Sequence, residues 1–143
     1  VKNLLELPIT INKNVFFDYI YIADLLKMID WAIHNEPKEK IYNVTTGQKV
    51  DLVTLVELIN EASDFKSEII IINEGLNNEY TSNNDRILSE IPDFVFTAHK
   101  VAIAKIREYF KKYIDTLDIE TVKNDPYLKT IDKMWKGSEN DSN

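Results

Sequence analysis

The sequence predicts an α/β fold, a small domain of short, mostly parallel strands packed by about four or five helices. Runs of β-branched and aromatic residues alternate along the chain with segments whose apolar residues recur every three or four positions,. The chain has 143 residues, of which 44% are hydrophobic. That length and composition are typical of a globular domain with one hydrophobic core.

Four short segments have the composition of strands. They are residues 7–11, 16–22, 41–44 and 69–72,. The last is a continuous apolar run, which is typical of a strand covered on both faces. Because 41–44 and 69–72 flank a helical segment, they predict a βαβ unit with both strands parallel in one sheet. Polar residues predict a turn at 12–14 and a loop at 73–83.

Two helices are predicted in the first half of the chain. The first begins near Asp24 and is stopped by Pro37,. The stripe that we expect to face the core is Ile22, Leu25, Leu26, Ile29, Ala32 and Ile33. Asp51 predicts the N-cap of the second helix, because its carboxylate can accept from N–H groups of the first turn. The residues that this helix should bury are Leu52, Leu55, Val56, Ile59 and Ala62.

Three further helices complete the pattern. A short one places Ile87, Leu88 and Ile91 inward and ends at Pro92. Thr97 predicts the N-cap of a longer helix. Its expected inner face is Ala102, Ile103, Ile106, Tyr109, Phe110 and Tyr113. Asp125 and Pro126 suit the N-cap and first position of a last helix, which carries Tyr127, Leu128, Ile131, Met134 and Trp135,.

These elements predict a domain over residues 1–115, a helical extension over 116–136 and a disordered tail over 137–143. The chain opens at Val1 without an initiator Met. We therefore expect it to be a fragment of a larger protein.

Composition argues against several classes of function. The net charge of −7 argues against a nucleic-acid partner,. Apolar runs are too short to span a bilayer and no signal peptide is recognisable, so we expect no membrane partner and a cytoplasmic location. Cysteine is absent, and the two histidines, His34 and His99, are far apart and expected on helix surfaces. No metal site is therefore predicted.

Glycine is scarce, with only Gly47, Gly75 and Gly137 in the chain. Their separation excludes both a dinucleotide-binding G-x-G-x-x-G and a P-loop. We therefore expect no cofactor-binding residue in this chain.

Five stretches occur in a recognisable order. They are Leu-Pro-Ile at 7–9 with Phe-Asp-Tyr-Ile-Tyr-Ile-Ala-Asp-Leu at 17–25, Tyr-Asn-Val at 42–44, Asp-Leu-Val-Thr-Leu-Val-Glu-Leu-Ile at 51–59, Glu-Gly at 74–75, and Tyr-Thr-Ser-Asn-Asn-Asp-Arg-Ile-Leu at 80–88. Over residues 7–113 the chain resembles the C-terminal portion of the extended short-chain dehydrogenase/reductases, the NAD-dependent epimerase/dehydratase family.

The resemblance implies that cofactor binding and substrate binding belong to different parts of the parent enzyme. In that family an N-terminal Rossmann domain binds NAD or NADP and supplies a Tyr-x-x-x-Lys pair, and the C-terminal portion closes over a nucleotide diphosphate-sugar. None of the seven tyrosines here has Lys four positions later. No catalytic residue is therefore assigned, and we expect the isolated chain to be inactive.

Four substrate contacts are implied by the resemblance, namely Phe17, Gln48, Tyr80 and Arg86. Phe17 stands where the family has an arginine near the phosphates, so it either packs on a base or sugar or is a core aromatic. Tyr80 either reaches a phosphate with its hydroxyl or is half-buried. Arg86 matches a position that more often holds a short helix, and Gln48 lies in a turn that contacts substrate in some relatives.

A second family arginine, before Pro-Gly, is replaced here by Asn73 or Glu74. Two strong bidentate phosphate donors are thus lost, which points to a divergent subgroup. We still expect Phe17 and the loop from 73 to 80 to face one cleft.

The resemblance implies the substrate-binding portion of an NAD(P)-dependent nucleotide-sugar epimerase, dehydratase or reductase of carbohydrate biosynthesis. Its expected partners are a nucleotide diphosphate-sugar and the missing N-terminal Rossmann domain, and a homodimer is allowed. The alternative is a stand-alone interaction or assembly module that binds no sugar nucleotide. The gene sequence upstream of Val1 would distinguish the enzyme portion from the stand-alone module.

Overall fold

The computed structural model describes residues 1–124. It has the predicted α/β architecture, with short parallel strands in a small domain. The strands are β1 (Ile9–Asn14), β2 (Phe16–Phe17), β3 (Val50–Asp51) and β4 (Ile69–Leu76). The α-helices are α1 (Ile22–His34), α2 (Leu52–Glu61), α3 (Asp85–Leu88), α4 (His99–Lys112) and α5 (Ile119–Lys123). Single 3-10 turns occupy Lys2–Leu5 and Ile114–Thr116.

The main sheet is a parallel pair of β1 and β4, in which Ile9 lies opposite Ile69 and Ile11 opposite Ile71. Ile11 is buried, whereas Ile71 is 43% exposed, so β4 is not covered on both faces as predicted. The turn predicted at 12–14 is wrong, because β1 continues through it, and β4 likewise extends into the predicted loop to Leu76.

The predicted pairing of 41–44 with 69–72 is wrong. Residues 41–44 form no strand, and β1 takes the place beside β4. The physical reason is that polar side chains attach this segment to the chain around residue 83. Asn43 Nδ2 donates to the Asn83 carbonyl at 3.1 Å, and Asn84 Nδ2 donates to the Thr45 carbonyl at 2.8 Å.

A second, antiparallel pair joins β2 to β3, with Phe16 opposite Asp51 and Phe17 opposite Val50. The strand predicted over 16–22 is therefore much shorter than expected, since α1 already begins at Ile22.

The N-cap predicted at Asp51 is confirmed. Its carboxylate accepts from the Thr54 backbone N–H at 3.1 Å and from the Thr54 hydroxyl at 2.7 Å. Partial burial raises the pKa of Asp51, but these hydrogen bonds outweigh burial and hold it below its usual value,. Asn14 Oδ1 accepts from the Val53 N–H at 3.3 Å, which joins the end of β1 to the start of α2. The predicted inner face is confirmed at Val56, which is buried.

The orientation predicted for α1 is wrong. Its inner face carries Asp24 and Met28, which are 0% and 2% exposed. Most of the stripe expected to face the core lies outward, with exposed fractions of 58% at Ile22, 57% at Leu26, 46% at Ile29 and 71% at Ile33.

A buried carboxylate explains this orientation. Asp24 accepts hydrogen bonds from the Thr97 backbone N–H at 2.7 Å, from the Thr97 hydroxyl at 3.0 Å and from Lys27 at 3.3 Å. Burial raises the pKa of Asp24, but these donors outweigh it and bring the pKa below its usual value,. Thr97 therefore does not cap α4 as predicted; the N-cap position is Ala98, without a side-chain capping bond.

The later helices follow the predictions in part. Ile87 in α3 and Ala102 in α4 are buried, as expected. Ile106, Tyr109 and Tyr113 were predicted to face inward and are instead exposed. The contacts of Arg107 give the reason, because its Nε donates to the Ala62 carbonyl and its Nη2 to the Ser63 hydroxyl, both at 3.0 Å. A cation thus turns inward because it satisfies the C-terminal end of α2.

Asp118 caps α5 by accepting from the Thr121 N–H at 3.1 Å. The helix predicted from Asp125 and the tail from residue 137 lie outside the described residues. The proposed division at residue 115 stays a prediction. Within residues 1–124, none of the helices combines the length and apolar character that crossing a bilayer requires.

The orientation of α1 can be tested with two truncations in one helix. Met28→Ala should lower the free energy of unfolding by about 2–5 kcal/mol, because it leaves a cavity under the helix. Leu26→Ala, two positions away on the exposed face, should change it by less than about 0.5 kcal/mol. Urea denaturation followed by circular dichroism measures both, and a larger loss at Leu26 would contradict the observed face.

The Asp24 carboxylate should make stability depend on pH. Because its pKa is lowered in the folded state, its contribution is present above the usual carboxyl pKa of about 4 and is lost as pH falls through the folded value. Asp24→Asn should cost about 1–3 kcal/mol at neutral pH and flatten the acid limb of the stability profile. Asp30→Asn, on the exposed side of the same helix, is the control and should leave that limb in place.

Candidate functional site

The structure brings Phe17 and Tyr80 together, and Tyr19 joins them. Tyr80 forms a parallel bridge with Phe17, and its N–H donates to the Phe16 carbonyl at 3.0 Å. The Phe17 and Tyr80 rings are stacked, with centroids 5.3 Å apart and an angle of 15°. The Tyr19 ring lies 5.1 Å from that of Phe17. We call Phe17, Tyr19 and Tyr80 the aromatic cluster.

The cluster forms because the chain after β4 continues alongside the chain after β1. Asn77 N–H donates to the Asn14 carbonyl at 2.8 Å, which extends the pairing to the start of β2. Three residues later Tyr80 reaches Phe17. Phe17 is half-buried, whereas Tyr80 is 57% exposed, so one aromatic ring is presented to solvent on top of another.

Polar groups surround the aromatic cluster. The Asp18 carboxylate accepts from the Ser82 N–H at 2.9 Å. Lys49 Nζ lies 3.0 Å from the Glu79 carboxylate and 5.3 Å from the centre of the Phe16 ring. Hydrogen bonds from Thr81 and then Lys49 hold the pKa of Glu79 below its usual value.

Sequence reasoning missed Lys49, which lies beside Phe16 and Glu79, the residues that directly precede Phe17 and Tyr80 of the cluster. This position arises from the pairing of β2 with β3, and no local motif around residue 49 indicates it. Tyr19 was also missed, although its position two residues from Phe17 in an extended segment gave a signal, since such residues lie on the same side.

Gln48 lies in an exposed turn. Its N–H donates to the Thr46 hydroxyl oxygen at 3.2 Å, and Gly47 has a φ of 67°. The turn is two residues before Val50, which pairs with Phe17. Gln48 therefore lies two residues from the strand partner of Phe17, but no contact of its side chain with Phe17 or Tyr80 is observed. Its role as a substrate contact stays a prediction.

Arg86 lies on a different surface. Its Nη1 donates to the Ile41 carbonyl at 3.1 Å, and it lines a cavity of about 180 Å³ with Ile41, Asn43 and Asn83. Neither Phe17 nor Tyr80 lines that cavity. The bond to Ile41 supports the structural alternative for Arg86, because it holds the loop before the turn against α3.

The residues that replace the second arginine do not supply a phosphate donor of comparable strength. Asn73 Nδ2 donates to Asn12 Oδ1 at 2.9 Å, so this amide is bound to the neighbouring strand. Glu74 lines an open cavity of about 510 Å³ together with Asn14, Ile71, Gly75 and Leu76. A carboxylate there disfavours a phosphate.

Phe17 and Tyr80 are therefore in contact, whereas the cleft that Phe17 and the loop from 73 to 80 are predicted to share, and the binding of a ligand there, stay predictions. The cluster can stack a planar ring and offer neutral hydrogen bonds around it. Among residues 1–124, no three side chains of His, Asp or Glu are placed to hold a metal ion.

The structure is thus a small α/β domain whose candidate site is an aromatic cluster with charged groups beside it. No family model matches the chain, and no solved structure matches it. The chain is similar to the GDP-L-fucose synthase of Dictyostelium discoideum, with 28% identity over 114 residues. The similarity covers 77% of this chain but only 36% of that protein, so the chain spans about a third of its relative.

Gly47 offers a test of how the turn before β3 is built. A Cβ at this position would lie 3.2 Å from Asn84 Oδ1, and the backbone is left-handed. Gly47→Ala should therefore cost about 1–2 kcal/mol of stability from the backbone alone, with crowding adding to it. Gly75→Ala is the control, since its φ is 83° but its nearest neighbour is 4.0 Å away. Equal losses in thermal melts of the two variants would show that the Asn84 contact adds nothing.

Proposed function

We propose that this chain is the substrate-binding portion of an NAD(P)-dependent enzyme acting on a nucleotide diphosphate-sugar, of the extended short-chain dehydrogenase/reductase family. The single observation that carries this proposal is the stack of Phe17 and Tyr80, two of the four positions at which the family resemblance implies a substrate contact. The similarity to a GDP-L-fucose synthase supports the same class of ligand, because the name of that protein identifies a nucleotide diphosphate-sugar.

The aromatic cluster would hold the base or the sugar ring. A planar ring placed on the exposed side of Tyr80 gains stacking energy whatever its hydrogen-bonding pattern. Lys49 is the nearby cation that would attract the diphosphate, although its ion pair with Glu79 lowers the charge available. Since both family arginines are replaced, we expect binding that is weaker and less salt-dependent than in arginine-containing relatives.

The cofactor site and the catalytic Tyr and Lys would belong to a nucleotide-binding domain outside this chain. The relative is nearly three times as long as the region that matches, which leaves room for such a domain. NAD or NADP would bind there. A cytoplasmic location is part of this proposal, and a homodimer is compatible with it.

A second candidate function is a stand-alone interaction module that binds no sugar nucleotide. The exposed apolar residues of α1 favour it, because large aliphatic side chains in solvent often mark a protein contact,. The two candidates differ in one measurable property, which is binding of a nucleotide-sugar at the aromatic cluster.

Titration of the isolated chain with GDP-L-fucose, followed by amide NMR shifts, tests the proposal. We expect shifts at Phe17 and Tyr80, and a dissociation constant that Tyr80→Ala raises by about fivefold or more, because base–aromatic stacking contributes about 1–3 kcal/mol. Phe17→Arg should tighten binding and make it weaken with added salt.

Tyr109→Ala is the matched control, because Tyr109 is 61% exposed on α4, away from the cluster. It should leave the dissociation constant unchanged. A parallel titration with NAD and NADP should show no binding to this chain. An absence of shifts with GDP-L-fucose would argue for the interaction module, and shifts that appear elsewhere, or that respond equally to both tyrosine variants, would mean that the aromatic cluster is not the binding site.

A further inference from the structure

The second half of α4 and its C-cap carry three large side chains that are exposed. They are Ile106, Tyr109 and Tyr113, with exposed fractions of 41%, 61% and 38%. Their spacing of three and four positions puts them on one side of the helix, four positions beyond Ala102 on the same side,. Ala102 is 6% exposed, so this side of α4 begins against the domain. We call Ile106, Tyr109 and Tyr113 the α4 stripe.

The α4 stripe continues a side of the helix that is buried at its beginning. There His99 Nε2 lies 3.2 Å from the Tyr19 carbonyl, which holds the first turn against the chain before α1. Further along, the rings of Tyr109 and Tyr113 are 4.8 Å apart, so the exposed side chains form one surface,. A helix side of this composition is ordinarily covered along its length. The α4 stripe is therefore suited to contact with a further apolar element.

The sequence after the described residues has the pattern of such an element. We call residues 125–136 the C-terminal segment. Its apolar residues fall on one side of a helix, and they are Tyr127, Leu128, Ile131, Met134 and Trp135,. A helix from 127 to 135 is about 12 Å long, and the α4 stripe from 106 to 113 is about 10 Å long. The two apolar surfaces therefore match in length.

The connection between the α4 stripe and the C-terminal segment is short. The Tyr113 carbonyl accepts from the N–H and the hydroxyl of Thr116, at 3.0 and 2.7 Å, so the chain turns directly after α4. The following helix, α5, has no buried residue. Eleven residues lie between Tyr113 and Asp125, and they span at most about 40 Å. This connection keeps the C-terminal segment near the stripe and is long enough to let it return along α4.

A second copy of α4 is a less suitable occupant because α4 is a basic helix. Five of its residues are Lys or Arg and one is Glu, which gives it a net charge of +4 with histidine neutral. Two such helices placed face to face would bring like charges together. The C-terminal segment has three Lys and two Asp, so it brings a net charge of only +1.

We propose that the C-terminal segment folds back along α4 and covers the α4 stripe, so that the domain is completed by its own extension. This inference goes beyond the proposed function and does not depend on it, because it concerns contacts within this chain alone. It gives a role to a part of the sequence that the family resemblance, over residues 7–113, does not include.

Disulfide trapping in the 143-residue chain tests the proposal, because the chain has no native cysteine. Tyr109→Cys is combined in turn with Leu128→Cys, Ile131→Cys and Trp135→Cys, and the effective concentration of the two thiols is measured against glutathione. Tyr109→Cys with Lys129→Cys is the matched control, since position 129 lies on the opposite side of the predicted helix from Ile131. Leu26→Cys with Ile131→Cys tests the exposed face of α1 as a competing surface.

We expect the best of the three Tyr109 pairs to have an effective concentration about tenfold or more above that of the Lys129 pair, because docking holds the thiols close together. Equal values for all four Tyr109 pairs would overturn the proposal, since the segment would then not be docked on α4. A higher value for the Leu26 pair would place the segment on α1 instead. Disulfide-linked dimers as the main product would mean that a second copy covers the α4 stripe.

The fluorescence of Trp135 gives a second measurement that needs no cysteine. The chain has two tryptophans, so Trp31→Phe leaves Trp135 as the only one. We expect the emission of a shielded indole, which moves to that of an exposed indole when Tyr109→Ser and Tyr113→Ser are added. Val95→Ser is the control, because Val95 is 82% exposed and lies outside the stripe, and it should leave the emission unchanged. Emission of an exposed indole before the tyrosines are replaced would refute the docking of the C-terminal segment.

Discussion

The buried carboxylate of Asp24 is the interaction on which the arrangement of the helices depends. It lies in the first turn of α1 and binds both the backbone and the hydroxyl of Thr97, directly before α4. An ionised group without solvent is tolerated only if its oxygens are satisfied, so this contact sets where α1 and α4 begin relative to each other. It also sets the rotation of α1, which determines that Met28 packs inward and that the side with Leu26 and Ile33 lies outward.

The candidate site offers aromatic stacking where a diphosphate ligand would ordinarily be bound by charged groups. A ligand with a diphosphate would ordinarily meet guanidinium groups, which bind it bidentately. The family resemblance places Phe17 at one of those positions, where it stacks with Tyr80, and Arg86 is bound to the Ile41 carbonyl. In a chain of net charge −7, such a site would recognise the planar part of a ligand more strongly than its anionic part.

The sequence predicted features that local chemistry determines. Asp51 caps α2 because a carboxylate there can satisfy the first-turn N–H groups, and Ile69 to Ile72 form a strand because nothing in that run favours a helix. Prediction from the sequence failed where a residue far along the chain determines the arrangement. The choice of β1 over residues 41–44 beside β4 depends on side-chain bonds across the fold. The face of α1 depends on Thr97, more than seventy positions away, and apolar periodicity could not reveal that the face with Asp24 would be the buried one.

The aromatic cluster and α1 are connected by a short piece of chain. Phe17 and Tyr19 lie just before Tyr21, the N-cap of α1, and His99 at the start of α4 lies 3.2 Å from the Tyr19 carbonyl. Four residues lie between Phe17 and Ile22, the first residue of α1, so their Cα atoms are at most about 18 Å apart. The contact of Asp24 with Thr97, which fixes the start of α1 against the chain before α4, therefore also holds one end of the segment that carries the cluster.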